Sequence, residues 1–400
     1  MDDGSLGVPL DYSQIARNSR SFGESFRDNW LRDGFTQVEN NDPELAGLKD
    51  RVNSLFKEFC ALSDDVKMKY RLPKIGGQRG YTPTGIGSSS KGVFLDHREH
   101  LMIGPGISDD HPLAKYRPYF YLPNQQIGEV PELVGTAEKL LEKLEERDLE
   151  LYTALAVGLG LHPSYFSARL AYGDSSLRLR RYPGIEGRVL GIHHIEHDGL
   201  KVNALVVRMP DGKFVTNLVR ASPHRDVDFA ATLFGAEEPG LMLEKPSGEI
   251  IPYTTVSNCM VDNSGFFATY ETAGTIPYAR HWVVAPPERA HQDRVAVIKF
   301  AHSRPRSPIL PIPSLRTEDN LTKYPMSYEG ILLWQVLHQR DYATAQERDK
   351  IADVVRNDLQ HDGDLVADLL RFEDRTGNYK LHKHVKSPEE YRDILELKAA

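Results

Sequence analysis

The order of periodicities along these 400 residues predicts an α+β chain, with a β-sandwich or barrel core clad by helices on both sides. Three observations carry that reading. Helical spacing of apolar residues fills the chain up to about Leu161. Short apolar or alternating runs replace it from about Ser176. Helical patterning returns from about Ser327 to Leu397.

The first helix expected is amphipathic and runs from Pro43 to Met68. Leu45, Leu48, Val52, Leu55, Phe56, Phe59 and Leu62 recur there at spacings of three and four, and Ser63 with the two following aspartates is expected to end it. The stretch from Ile75 to Lys91 is polar and glycine-rich and reads as a long surface loop. Mobile loops over a rigid core commonly set specificity, so the region around Tyr81 and the segment Lys91 to Glu99 are expected to face a substrate. From Pro131 to Leu161, Leu133, Ala137, Leu140, Leu141, Leu144, Leu149 and Leu151 form one stripe, closed by Gly158 and Gly160. The runs LRLRRY, KVNALVVRM, KFVTNLV, HWVVA and RVAVIKF then read as strands, and Pro210-Asp211-Gly212 between the second and third predicts a hairpin.

Composition narrows the class. With 40% hydrophobic and 26% charged residues the chain can bury a sizeable core, and a net charge of -8 argues against a polyanion-binding surface, hence against nucleic acid as a partner. Cys60 and Cys259 are the only cysteines, which excludes a disulfide framework or thiolate-rich metal site and fits a reducing compartment, the cytoplasm. The N-terminus lacks the basic start and apolar core of a secretory signal. No eighteen apolar residues run together, so no membrane association is expected. Monomer and homodimer both stay open.

The chemistry is concentrated in few residues. In His224-Arg225-Asp226 two ligand-type side chains two residues apart leave the same face of a strand and can converge on one ion. His281, opening the distant strand HWVVA, is the best third ligand, because an adjacent strand can carry it alongside. Two histidines and one carboxylate leave a face of an octahedral iron(II) ion open for a keto acid and dioxygen. Arg294, at the start of RVAVIKF, offers a guanidinium suited to clamping a dicarboxylate. Zinc hydrolysis would also suit the ligand set, but no nearby general base is evident. His193, His194 and His197 form a rival cluster, although closely spaced loop histidines are more often solvated.

Several segments together resemble the isopenicillin N synthase-like branch of the iron(II)/2-oxoglutarate-dependent oxygenases: RGYTPTG, KGVFLDHREHLMIG, LRLRRYP, SPHRDVDFAATLFGAEEPGLML and ARHWVVAPPERAHQDRVAVIKFAHSRP. The resemblance spans most of residues 8 to 310. It implies a double-stranded β-helix, or jelly roll, clad by N- and C-terminal helices. Iron(II) would be bound by His224, Asp226 and His281, and the distal carboxylate of 2-oxoglutarate by Arg294, with Tyr182 at a further cosubstrate position. It also implies oxidation of a small-molecule substrate by dioxygen, through hydroxylation, desaturation or cyclisation, in specialised metabolism. On this pattern residues 1–175 are a helical N-terminal region with substrate-side loops, 176–310 the oxygenase core, and 311–400 a helical extension packed with the core as one unit.

The chain departs from the family at three places. Ala296 stands where a serine usually adds a hydrogen bond to the keto acid. Arg180 replaces a common amide, and strand alternation puts Arg178, Arg180 and Tyr182 on one face, where Arg180 could bind a carboxylate. The segment GIHHIEHDGLKVNALVVRMPDGKFVTNLVR is an insertion, read as an added β-hairpin placed to cap the pocket. Ala296 keeps a keto-acid-independent iron oxidase of the same fold as an alternative, and a non-catalytic small-molecule-binding barrel is the alternative from a different class.

Overall fold

The computed structural model describes residues 6–39, 41–72, 79–85, 92–117, 120–235, 238–253, 258–318, 326–327 and 359–396. In chain order the elements are α1 (Gln14–Asp33), β1 (Phe35–Glu39), α2 (Pro43–Cys60), α3 (Asp64–Met68), β2 (Gly80–Thr82), β3 (Leu95–Asp96), β4 (Glu99–Ile103), α4 (Glu132–Gly158) and α5 (Ser164–Leu170). There follow β5 (Ser176–Tyr182), β6 (Arg188–His197), β7 (Leu200–Arg208), β8 (Phe214–Val219), β9 (Ala221–His224), β10 (Ala230–Phe234), β11 (Leu241–Glu244), β12 (Ile250–Tyr253) and β13 (Cys259–Ser264). The chain continues through α6 (Phe266–Glu271), β14 (Arg280–Val283), β15 (Arg294–Ala301), β16 (Pro308–Ile309), β17 (Met326–Ser327), α7 (Leu359–Thr376) and α8 (Pro388–Glu396).

Two facing sheets make the jelly roll. The larger has strand order β1-β13-β10-β15-β5-β4-β2 and the smaller β12-β11-β14-β9. Side chains pointing inward from both, among them Phe35, Tyr182, Leu243, Ile251, Val261, Val283, Ala296 and Ile298, fill the space between them. The outer face of the large sheet, through Leu101, Leu177, Leu179 and Val297, packs on the apolar stripes of α2 and α4. Each sheet face is thus buried against a partner, which is the physical requirement for this layered architecture.

Several elements differ from the expectations. Ser63 and the aspartates do not simply end a helix: α2 stops at Cys60, and Ser63 stands at the N-cap position of α3, where acidic residues favour a helix start. Strands are not confined to residues 176–310, because β1 and β4 join the large sheet through pairings Val38↔Met260 and Leu101↔Leu179. The insertion is a three-stranded meander, β6-β7-β8, rather than one hairpin, although β7 and β8 do pair antiparallel across Pro210-Asp211-Gly212. This meander does not cap the pocket. Val202 and Ala204 pack with Phe94 and Trp282 on the outside of the small sheet. Tyr81 is buried and donates its hydroxyl to Glu99, so it does not face a substrate either. Of the expected loop, 75–78 and 86–91 lie outside the described residues, as do 328–358 and 397 of the C-terminal helical stretch.

The helical cladding is joined to the jelly roll by close backbone contact and buried charge. α1 crosses α4 at Gly23 and Gly158; a Cβ on Gly23 would fall 1.8 Å from the carbonyl oxygen of Ala154. Arg147 of α4 gives a two-pronged bond to Asp262 of β13, at 3.2 and 2.8 Å, and Lys299 of β15 pairs with Asp148. At the other end Arg304, fully buried just past β15, lies 3.5 Å from Asp362 of α7, and Tyr391 of α8 donates to the same carboxylate. None of the described helices is long and apolar enough to cross a membrane.

Candidate metal centre and cosubstrate pocket

β9 ends at His224 and lies antiparallel to β14, with His224 directly opposite His281 and a register shift just beyond. The ring centroids are 4.4 Å apart. Asp226 follows the strand rather than belonging to it. Its backbone carbonyl accepts the Phe266 N–H at 3.0 Å, which pins the loop and aims the carboxylate back toward the histidines. Its two oxygens then stand 3.6 Å from His224 Nε2 and 3.5 Å from His281 Nε2. These are the three residues, among those described, whose donor atoms converge within 4.8 Å to suit a metal ion. Cis ligands about 2.1 Å from an octahedral ion are roughly 3 Å apart, so a small contraction would close the set.

The surroundings orient these donors. His224 Nδ1 lies 2.8 Å from the Ser222 carbonyl, which holds the proton on Nδ1 and turns the Nε2 lone pair toward Asp226. The backbone N–H of Ser222 in turn donates to Asp96 at 2.9 Å. Asn263 donates to Asp226 at 3.2 Å, and Phe35 meets the His281 ring edge-on at 6.4 Å. Burial depresses the basicity of both histidines, aided for each by the cations Arg98 and Arg180, so both rings are neutral. Burial would raise the Asp226 pKa, but His281, His224 and the Asn263 bond outweigh it and keep the carboxylate charged. Neutral imidazoles and an ionised carboxylate are the protonation states that metal ligation requires.

A cavity of about 300 Å³ runs from His224 and His281 into the jelly roll and is walled by Arg180, Tyr182, Arg294 and Ala296. The register of β5 against β15 sets Arg294 opposite Tyr182 and Ala296 opposite Arg180. The Arg294 guanidinium lies 5.1 Å from the Tyr182 ring centre, while its Nε donates to the Glu238 carbonyl at 3.1 Å. Burial pushes Tyr182 upward in pKa, yet Arg180 and Arg294 overcome this and bring the phenol below its ordinary value.

All six residues singled out in the sequence, His224, Asp226, His281, Arg294, Tyr182 and Arg180, are therefore in one neighbourhood. His193, His194 and His197 are elsewhere: His193 bonds the Thr216 carbonyl, His194 the Asn203 side chain, and His197 lies against Phe94. Asn263, Ser222 and Asp96 were not anticipated. Each reaches the site through a distant strand or a backbone atom, which no spacing in the sequence announces.

A jelly roll whose inner face presents two histidines and a carboxylate beside a buried arginine defines a non-haem iron oxygenase. Residues 9–127 match the family described as the N-terminal region of non-haem dioxygenases in morphine synthesis. An iron/ascorbate oxidoreductase, so named as probable, from Dictyostelium discoideum is 31% identical over 163 residues, 38% of this chain, and the match spans only 44% of that protein. A 2-oxoglutarate-Fe(II) type oxidoreductase from Metarhizium rileyi is 24% identical over 82% of this chain and 88% of its own. A crystal structure assigned to the 2OG-Fe(II) oxygenase family, from Caulobacter crescentus, superposes with a TM-score of 0.67 at 25% identity, covering 84% of this chain and 99% of its own. In sequence and fold the chain is thus similar to iron(II)/2-oxoglutarate-dependent oxygenases of the isopenicillin N synthase-like class.

Proposed function

We propose that this protein oxidises a small organic molecule, by hydroxylation, desaturation or ring closure, at an iron(II) ion held by His224, Asp226 and His281. Arg294 and Tyr182 would hold 2-oxoglutarate beside it. The observation that carries the reading is a shared cavity: two of the three convergent donors, His224 and His281, and the buried Arg294 open onto the same space. The iron, when bound, supplies activation of dioxygen coupled to oxidative decarboxylation of the keto acid.

The chain's own residues supply the rest. His224 and His281 offer neutral nitrogens, and Asp226 contributes the single negative charge of the donor set. Arg294 presents a planar donor fork in a water-poor cavity, where a two-pronged bond to a carboxylate has its greatest effect. Leu233, Val261 and Val283 keep the cavity wall apolar. The segment 176–310 carries the chemistry, with 1–175 and 311–400 supporting it. Specialised metabolism is the setting favoured by a fungal relative named as an oxidoreductase of this type.

Mixing protein, iron(II) and 2-oxoglutarate without oxygen tests the reading. A weak visible band of the keto acid chelated to ferrous iron is expected, weakened in Arg294→Ala. The second reading, a keto-acid-independent oxidase, is favoured by Ala296, which offers no hydroxyl to the cavity. Tight iron binding without the band, and turnover without succinate, would select it.

A further inference from the structure

The insertion β6-β7-β8 takes no part in the metal centre, and no residue of β6 lines the cavity beside it. Its sheet has the order β3-β8-β7-β6, which leaves β6 at an edge. β6 pairs with β7 along one side, from Arg188 to His197, and along the other its backbone makes no hydrogen bond among the described residues. Such an edge is a template for a further strand, so proteins commonly blunt it with lysine, proline or a very short length. β6 has none of these: it is ten residues long and reads RVLGIHHIEH. Its one defence, a bulge between Val189 and Gly191, is near its start. Leu190 and Ile192 are exposed at 47% and 44%, and Phe214 of β8 at 64%.

The strand's own pattern decides what fits there. Arg188 and Glu196, near its two ends, are exposed, and neither side chain has an ion-pair or hydrogen-bond partner among the described residues. Laid antiparallel to a second β6 and centred on Ile192, the strand sets Arg188 against the partner's Glu196 at both ends. The same register sets Val189 against Ile195 and Ile192 against itself. Sliding by two residues removes the match, because one direction puts Leu190 opposite Glu196 and the other puts Arg188 opposite His194. Main-chain bonds would supply the affinity and these side-chain pairs the register.

We propose that β6 is the pairing edge of a homodimer, in which two copies of this chain join antiparallel about a two-fold axis at Ile192 and their insertion sheets run into one. The contact buries the exposed edge with the apolar Leu190 and Ile192, and gives Arg188 and Glu196 the counter-charges they lack within one copy. The insertion is then an assembly element, separate from the oxidation site.

The test is light scattering of the full chain eluting from a sizing column, loaded over a range of about 1 to 100 µM. Wild type should reach twice the mass of one chain at the upper end. Ile192→Lys, which brings two like charges together on the axis, should weaken the dimer by about tenfold or more. Arg188→Glu should weaken it by a similar factor, setting acid against acid at both ends, and adding Glu196→Arg should restore it. Circular dichroism of each variant should match wild type. If Ile192→Lys does not fold, the charge-reversal pair is judged by the same criteria. Wild type that stays a monomer at every concentration overturns the proposal. So does a dimer that neither single variant weakens, which would form through another surface. A dimer weakened by Arg188→Glu and not regained in the double variant overturns the register on which the proposal stands.

Discussion

Acidification should destabilise this protein in part through His111, by an amount that follows from its surroundings. Its Nδ1 accepts the Leu113 N–H at 3.2 Å, starting the 3₁₀ turn Pro112–Tyr116. The ring packs between Tyr172 and Phe372, at 5.4 and 4.6 Å between centroids, so it also ties α7 to the rest of the fold. Burial, the largest cause, lowers its pKa to about 4. Protonation would also destroy the lone pair that accepts Leu113. Because the folded pKa is below the unfolded one, the unfolded chain takes up the proton first; the stabilising contribution is full above about pH 6.5 and is lost progressively as pH falls toward 4. Between about pH 7.5 and 5.5 the loss is about 1.4 kcal/mol, and it hardly depends on the folded value because the folded ring stays neutral throughout. His111→Asn keeps an oxygen that can accept the same backbone N–H but does not titrate. Urea unfolding of wild type and His111→Asn at the two pH values isolates the histidine from all other titrating groups. Equal pH dependence in the two proteins would refute the argument.

Three further outcomes are expected. Replacing His193, His194 and His197 together by alanine should leave iron stoichiometry unchanged, whereas Asp226→Ala should abolish it, as read by metal analysis after desalting. Gly23→Ala places a methyl against the Ala154 carbonyl and should lower stability by at least about 1–3 kcal/mol through overpacking, seen as a lower urea midpoint. Arg147→Met leaves the fully buried Asp262 without its ion partner and should cost about 3–5 kcal/mol; a variant as stable as wild type would show that the pair is not needed.

What could be read in the sequence follows from which residues signal locally. β5, β7, β8 and β15 alternate or run apolar for six residues or more and end in clear punctuation, so they stand out. β1 and β4 do not: Phe35–Glu39 and Glu99–Ile103 are short, nearly all buried and rich in polar residues, so neither shows a period of two. α1 does not stand out because its mean character is polar and its large buried side chains are only three aromatics, Phe22, Phe26 and Trp30. At the site, His224 and Asp226 were legible because a strand end concentrates ligands at short spacing. His281 was reachable only by assuming that a later strand lies alongside. The insertion's position was not legible, since packing on Trp282 rather than over the cavity is decided by which face of β14 it meets.

The buried Arg304–Asp362 contact has a consequence for how the chain is made. Arg304 is in the core just past the last long strand, but the carboxylate that neutralises it is dozens of residues later. During synthesis the jelly roll can be complete in strands while one of its buried cations still lacks its counter-charge. A nascent chain cut short after β15 would hold every candidate iron ligand yet leave Arg304 without its counter-charge, keeping only the bonds from its Nη1 to the Ala168 and Ala171 carbonyls. The C-terminal helices thus supply a counter-charge that the core lacks until residues up to Asp362 have emerged.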